Sequence, residues 1–214
     1  MNADDIARYL RTHPQFFDQH PELLEAIAVP HPYGGRAIPL AERQTVALRD
    51  KNKALEGKLG ELLQFGEEND AISEKVHRLS VALAGARDFP ALAASIYFHL
   101  REDFAVPHVA LRVWGKSVPA DFDEAQPIDD AQRNHAAAMG GPQCGAAAGN
   151  AFTPWFRDAR EHVRSVALVP LGQTTVFGLL ALGSEDLKRF FPEMGTLYLR
   201  RIGELCAAAV TARL

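Results

Sequence analysis

The spacing of apolar residues divides the chain into three stretches of different texture. Over residues 3–28 the apolar positions come in short helical groups: Ile6, Tyr9 and Leu10, then Phe16, Phe17, Leu23, Leu24 and Ile27. This predicts two or three short helices. Asp4 or Asp5 can start the first, and His13-Pro14 ends it, because the residue before proline is pushed out of the α region. Pro14 and Pro21 each suit the first turn of a new helix. Such a module has little core of its own and is expected to dock on something, with a second copy as one candidate. The stretch Val29-Pro30-His31-Pro32-Tyr33-Gly34-Gly35 is loop chemistry. From Pro39 to about residue 83 the pattern becomes a heptad. Leu48, Leu55, Leu62, Asn69, Val76 and Leu83 recur every seventh position, and Phe65, Ile72 and Leu79 form a second seam behind Lys51 and Lys58. This is a coiled-coil pattern, and about 45 residues at 1.5 Å each would span roughly 65–70 Å. With no partner seen for the seam within the chain, a homodimer is expected, with Asn69 setting its register. Gly57, Gly60 and Gly66 each cost on the order of 1 kcal/mol in a helix interior, so a break or bend is expected near 57–66.

After Gly85 the texture changes again. Asp88-Phe89-Pro90 caps and starts a helix to about 103, with Leu92, Ile96 and Leu100 on one face. Residues 107–114 alternate as a strand, Val109, Leu111 and Val113 against Ala110, Arg112 and Trp114. A loop at 115–127 and a helix at 128–139 follow, the latter broken by Gly140-Gly141-Pro142. Residues 165–171 and 175–182 are strands joined by Gly172-Gln173-Thr174, a hairpin-length connection. They are apolar on both faces, which predicts central strands covered on both sides. An amphipathic helix at about 192–213 closes the chain. The expected division is a small helical module at 1–38, a linker helix at 39–85 and a mixed domain at 86–214.

Composition narrows the partners. The chain has 214 residues, 47% hydrophobic and 23% charged, with a net charge of −4. These are ordinary values for a soluble globular protein, and nothing overall draws it to nucleic acid or anionic membrane. Two cysteines form no disulfide framework. The acidic start Met1-Asn2-Ala3-Asp4-Asp5 lacks a signal-peptide pattern, and no run reaches the roughly 20 apolar residues of a membrane span. A cytoplasmic location without membrane attachment is expected.

Ser165-Val166-Ala167-Leu168-Val169-Pro170-Leu171, then Phe177-Gly178-Leu179-Leu180-Ala181-Leu182-Gly183-Ser184, then Phe190 and a terminal helix, resemble the end of a GAF domain. The rest of the chain resembles the proteobacterial DUF484 proteins. The residues that carry this are Tyr9-Leu10, His13-Pro14-Gln15-Phe16-Phe17, Leu23-Leu24, Val29-Pro30-His31, Leu40, Glu42-Arg43-Gln44 and Gly141-Pro142-Gln143-Cys144-Gly145. Pro39 stands where the resemblance leads one to expect a capping Ser. The resemblance implies an α+β fold: a GAF-like antiparallel sheet flanked by helices, after a long linker helix and a small N-terminal helical module. The C-terminal part of the long helix and the final helix would lie on one face, and a small pocket on the other. It implies no activity.

Candidate chemistry is sparse. Cyclic-nucleotide-binding GAF domains carry Asn-Lys and a spaced Phe-x-x-x-Asp-Glu; here Phe122-Asp123-Glu124 are contiguous and Asn52-Lys53 sits on the linker. Bilin attachment joins a Cys to a following His, but Gly145 follows Cys144. Cys144 is expected in a Gly-rich turn beside the pocket. There it is a small hydrophobe, unless a cation such as Arg133, His135 or Arg157 lowers its pKa. Cys206 is expected buried and distant. The eight histidines show no metal spacing, and no metal or cofactor is called for. Arg43, Arg49, Lys51, Lys53 and Lys58 alternate with Glu42, Asp50, Glu56 and Glu61 and read as a solvated face rather than a DNA grip. The expected function is a non-catalytic sensory or adaptor protein, dimeric, taking a small ligand or a protein partner. A thiol redox enzyme using Cys144 and a DNA-associated accessory protein are the alternatives. The pocket would lie under residues 115–157, with Phe122, Arg133, His135, Cys144, Phe152, Trp155 and Phe156 around it. Those aromatics either wall an open pocket or fill it.

Overall fold

The computed structural model describes residues 2–29, 38–115, 118, 122–172 and 174–214. His31 and most of its expected loop lie outside them, as do the side chains of Pro39 and Glu42. Two compact units divide the chain, Met1–Glu67 and Glu68–Leu214.

In the first unit, helices α1 (Ala3–Thr12), α2 (Phe16–Gln19) and α3 (Pro21–Ala26) follow one another. The cap of α1 is Asn2, not Asp4 or Asp5. Its side-chain oxygen accepts from the Asp5 N–H at 2.8 Å while the Asp5 carboxylate accepts from the Asn2 N–H at 3.0 Å. This reciprocal box satisfies two N–H groups at the helix start. No residue of α1 or α2 is buried, in keeping with a module short of core. Strands β1 (Ala28–Val29) and β2 (Ile38–Pro39) pair antiparallel, and α4 (Leu40–Gly85) begins next. The helix continues through Gly57, Gly60 and Gly66, so the expected break does not occur. A Cβ at any of the three would meet nothing within 4 Å. Their cost is one of propensity alone, and a break would also require a second costly nucleation.

The second unit is built on a four-stranded antiparallel sheet, β3 (His108–Val113), β4 (Gln143–Ala146), β5 (Ser165–Leu171) and β6 (Gly178–Ser184), in the order β3-β6-β5-β4. Because side chains alternate across a strand, the sheet has two apolar faces. Val109, Leu111, Val113, Ala167, Val169, Leu171, Leu180 and Leu182 meet α5 (Phe89–Glu102), α7 (Leu197–Thr211) and the end of α4. Ala110, Val166, Leu168, Leu179 and Ala181 meet α6 (Asp130–Ala138) and a 3-10 helix at Thr153–Glu161. The fold is α+β: the antiparallel sheet carries α7 and the end of α4 on one face, as the resemblance implied, and where a small pocket was expected the other face is covered by short elements.

Four details differ from expectation. Residues 143–146, expected as a turn, form edge strand β4, paired with Ser165–Leu168. Gln-Cys-Gly-Ala has little strand propensity, and the free edge of β5 decides the matter. The second hairpin strand starts at Gly178 rather than 175. Residues 175–177 turn aside because the Phe177 and Val176 carbonyls accept from the Trp114 backbone N–H (2.7 Å) and indole N–H (3.2 Å). The final helix starts at Leu197, not at about 192, after a turn at 192–193 and a bend at Met194. Finally, part of the heptad seam has its partner within the chain. Leu83 is 2% exposed and Val76 packs against the same core, alongside Leu79. One stripe of α4 is therefore absorbed by the sheet unit, while Leu48, Leu55 and Leu62 remain 54–67% exposed.

Helix α7 approaches β5 through Gly203, where an added Cβ would lie 2.5 Å from Val169 Cγ1. Val169 is fully packed and cannot give way. Gly203→Ala should destabilise the protein by about 1–3 kcal/mol through overpacking, more than the roughly 1 kcal/mol that alanine gains in helix propensity. Denaturant unfolding should show a lowered midpoint; an unchanged or raised one would refute this close approach.

Candidate functional site

On the sheet face opposite α5 and α7, strand β3 contributes one residue out of character. Arg112 occupies an alternating position otherwise taken by apolar side chains, and it is only 7% exposed. Its Nη1 donates to the Leu111 carbonyl at 2.9 Å and its Nη2 to Gln126 Oε1 at 3.3 Å. The guanidinium lies over the Trp155 ring, 5.5 Å from its centroid, a cation–π contact. Burial holds its pKa below the ordinary arginine range, an effect opposed by the nearby Asp123 and Glu124 carboxylates. It remains a cation at neutral pH.

A second buried charge stands nearby. The 3-10 turn Asp123–Ala125 runs beside β3 and brings Glu124 inward to 6% exposure. Glu124 Oε1 accepts from Tyr97 Oη of α5 at 2.7 Å. Burial, and then this bond to a carboxylate, push the Tyr97 pKa well above its ordinary value. Asp123 accepts from Gln126 Nε2 at 3.1 Å and pairs with Arg157. Arg157 itself sits at φ 54°, ψ −124°, in the 3-10 helix that covers this face. For a residue with a Cβ such a conformation costs on the order of 1–3 kcal/mol and persists only where its surroundings hold it.

Tyr97, Ala110, Arg112, Glu124, Trp155 and Phe156 line a common cavity of about 480 Å³ at the β3 edge, together with Arg101, His108, Asp123, Arg157 and Asp158. A larger groove of about 960 Å³ runs along α7 beside residues 139–142 and 169–177. Its walls are mostly small residues, and its charged side chains, Arg200 and Glu204, are exposed. Of the two, the smaller cavity is the better site because it gathers buried, opposed charges.

The expected site residues scatter. Trp155 and Phe156 line the cavity. Phe152, 1% exposed, fills the core behind it, edge-on to Trp155 at 5.1 Å between centroids. Phe122 lies edge-on to Phe89, and Arg133 and His135 are exposed on α6, His135 against Phe152. Cys144, expected in a turn beside the pocket, is a β4 residue opposite Ala167 and packs toward the core of the helix-covered face. Strand alternation directs it away from the cavity. Burial pushes its thiol up to about 11 and that of the fully buried Cys206 up to about 12. Arg112, Glu124 and Tyr97 were not anticipated. The available signal was a lone arginine in a strand apolar on both sides. Among the described residues no group of three His, Cys, Asp or Glu could hold a metal, and no helix is long and apolar enough to cross a membrane.

A family model described as "Protein of unknown function, DUF484" matches residues 1–213. An uncharacterized protein YigA of Salmonella typhimurium (strain LT2) is 23% identical over 204 residues, 92% of this chain and 86% of that protein. Among solved structures, the A. Aeolicus nlh2 GAF domain in an inactive state is similar at a TM-score of 0.48 and 11% identity, over 68% of this chain and 99% of that one. The GAF domain of the potassium sensor histidine kinase KdpD from Escherichia coli is similar at a TM-score of 0.40 and 18% identity, over 65% and 93%. At these scores they are likenesses only.

The raised thiol pKa has a direct consequence. At neutral pH Cys144 is held as the unreactive thiol, since the thiolate is the nucleophile. Alkylation of the folded protein by iodoacetamide at pH 7.5 should be about tenfold or more slower than that of a free cysteine, accelerating only as pH rises towards about 11. Labelling of Cys144 at the free-cysteine rate would overturn this assignment.

Proposed function

Because the chain belongs to the DUF484 family, whose description names no activity, we propose its function from geometry: it is a non-catalytic sensory or adaptor protein whose sheet unit takes a small ligand at the β3 edge. One observation carries this reading. Arg112 and Glu124 are buried at a cavity rather than in a closed core. Its volume of about 480 Å³ falls within the usual range of small-molecule sites, roughly 300–1,000 Å³. An arginine stacked on an indole, a carboxylate and a short apolar wall suit recognition. The cysteine that would serve redox chemistry lies on the other face of the sheet.

The same reading includes a homodimer formed along the first half of α4. Leu48, Leu55, Leu59 and Leu62 are each 54–67% exposed and fall within a narrow arc of the helix. Leucines at this spacing are the seam of a two-stranded coiled coil. Ligand occupancy would reach that seam through the helix that both units share.

A thermal-shift screen of nucleotides, amino acids, tetrapyrroles and metabolite acids tests the ligand-binding part. A ligand at 100 times its dissociation constant adds about 2.7 kcal/mol to the folded state, a shift of several degrees. Ala159→Trp, which plugs the cavity from its 3-10 wall, should abolish the shift. A panel without any hit, or a hit that survives the plug, sinks the proposal. For the dimer, Leu55→Asp combined with Leu62→Asp should give monomers in light scattering, and a wild-type monomer at micromolar concentration would rule the seam out.

A further inference from the structure

Buried charges of opposite sign usually pair, because each alone loses its hydration without compensation. Here they do not. Arg112 and Glu124 both face the cavity at the β3 edge, yet neither forms an ion pair among the described residues. A guanidinium has five N–H groups. The two hydrogen bonds of Arg112, to the Leu111 carbonyl and Gln126, leave three without a partner among the described residues. Glu124 uses Oε1 for Tyr97, and its Oε2 accepts nothing among the described residues. The cavity thus presents a vacant anion-binding fork and a vacant cation-binding oxygen together. The Trp155 ring fixes the guanidinium from one side, and the Tyr97 hydroxyl fixes the carboxylate.

Resting on the reading of this cavity as a ligand site, we propose that its ligand is a zwitterion of the α-amino-acid class, its carboxylate on Arg112 and its ammonium on Glu124. Arg101, His108, Asp123, Arg157 and Asp158 also line the cavity, but Arg112 and Glu124 are its buried charges; a simple anion would leave Glu124 without a partner, and a simple cation would leave Arg112 without one. A molecule with both charges a few bonds apart completes both, and Ala110, Trp155 and Phe156 supply apolar wall for a side chain. Charge-assisted hydrogen bonds at both ends make recognition depend on having both groups.

Isothermal titration of the full chain with free amino acids tests this. Each is compared with its N-acetyl derivative, which keeps only the negative charge, and its amide, which keeps only the positive one. At least one free amino acid should bind, with both derivatives at least about tenfold weaker. Glu124→Gln keeps an acceptor for Tyr97 but removes the charge; it should weaken the amino acid by a similar factor and leave the N-acetyl compound no weaker. Arg112→Gln should weaken the amino acid and spare the amide. Circular dichroism of each variant verifies its fold, and the derivative series on the wild-type protein decides the matter where a variant fails to fold. A derivative that binds as tightly as its parent, or an amino acid unaffected by Glu124→Gln, overturns the proposal. If no amino acid binds while another compound class does and is blocked by Ala159→Trp, the zwitterion falls and the ligand site stands. If nothing binds at all, both fall.

Discussion

The structure depends on one constraint: the β5–β6 ladder is apolar on both faces and must be covered on both. Seven residue pairs join these strands, and every β6 residue is buried. Leaving either face open would expose a row of Leu and Val side chains at roughly 25 cal/mol per Å². The chain meets this demand asymmetrically. Long regular helices pack one face, with Leu79, Leu92, Ile96, Leu100 and Cys206 fully buried. Short pieces cover the other, α6 and the 3-10 helix, and their close packing centres on Phe152. Where that cover meets the β3 edge, the packing opens into the charged cavity.

Two sets of polar side chains meet at this edge: Tyr97 with Glu124, and the buried Arg112 with the exposed Gln126, Asp123 and Arg157. Each member is oriented by another: Glu124 by Tyr97, Arg112 by Gln126 and Trp155, and Asp123 by Gln126 and Arg157. Such preorganisation suits binding, since the groups need not be ordered when a ligand arrives. The strained backbone at Arg157 fits the same picture, a residue held against its preference at the margin of a site.

Much of this fold was legible in the sequence. The doubly apolar stretches at 165–171 and 175–182 announce a covered central pair, the second strand running in the structure from 178 to 184, and the heptad residues announce a long helix. What escaped has physical causes. β4 is written in Gln, Cys, Gly and Ala, and only the free edge of β5 makes it a strand. Val76 and Leu83 carry a heptad spacing that a coiled coil and a helix lying on a sheet share, so the spacing alone could not tell which would bury them. Of the aromatics that the irregular stretch offers as pocket walls, Phe152 is core while Trp155 and Phe156 line the cavity. In the sequence Glu124 stands out only beside Phe122-Asp123 as part of a cyclic-nucleotide motif, and Arg112 only as one step of an alternation. Their meeting required the turn at 123–125 to run beside β3, a tertiary fact that no local pattern encodes.

The place of β3 in the sheet has a dynamic consequence. Strands β5 and β6 are paired on both sides, whereas among the described residues β3 pairs only with β6. Amide protons of the central pair therefore belong to the most protected class, exchanging with solvent only when the whole domain opens. Those of β3 can exchange through a smaller opening, in which the edge strand and the adjoining 123–125 turn loosen together. A molecule bound to Arg112 and Glu124 would bridge the two and make that partial opening rarer. Occupancy would then be written into the fluctuation of one sheet edge while the central ladder kept the same exchange rate.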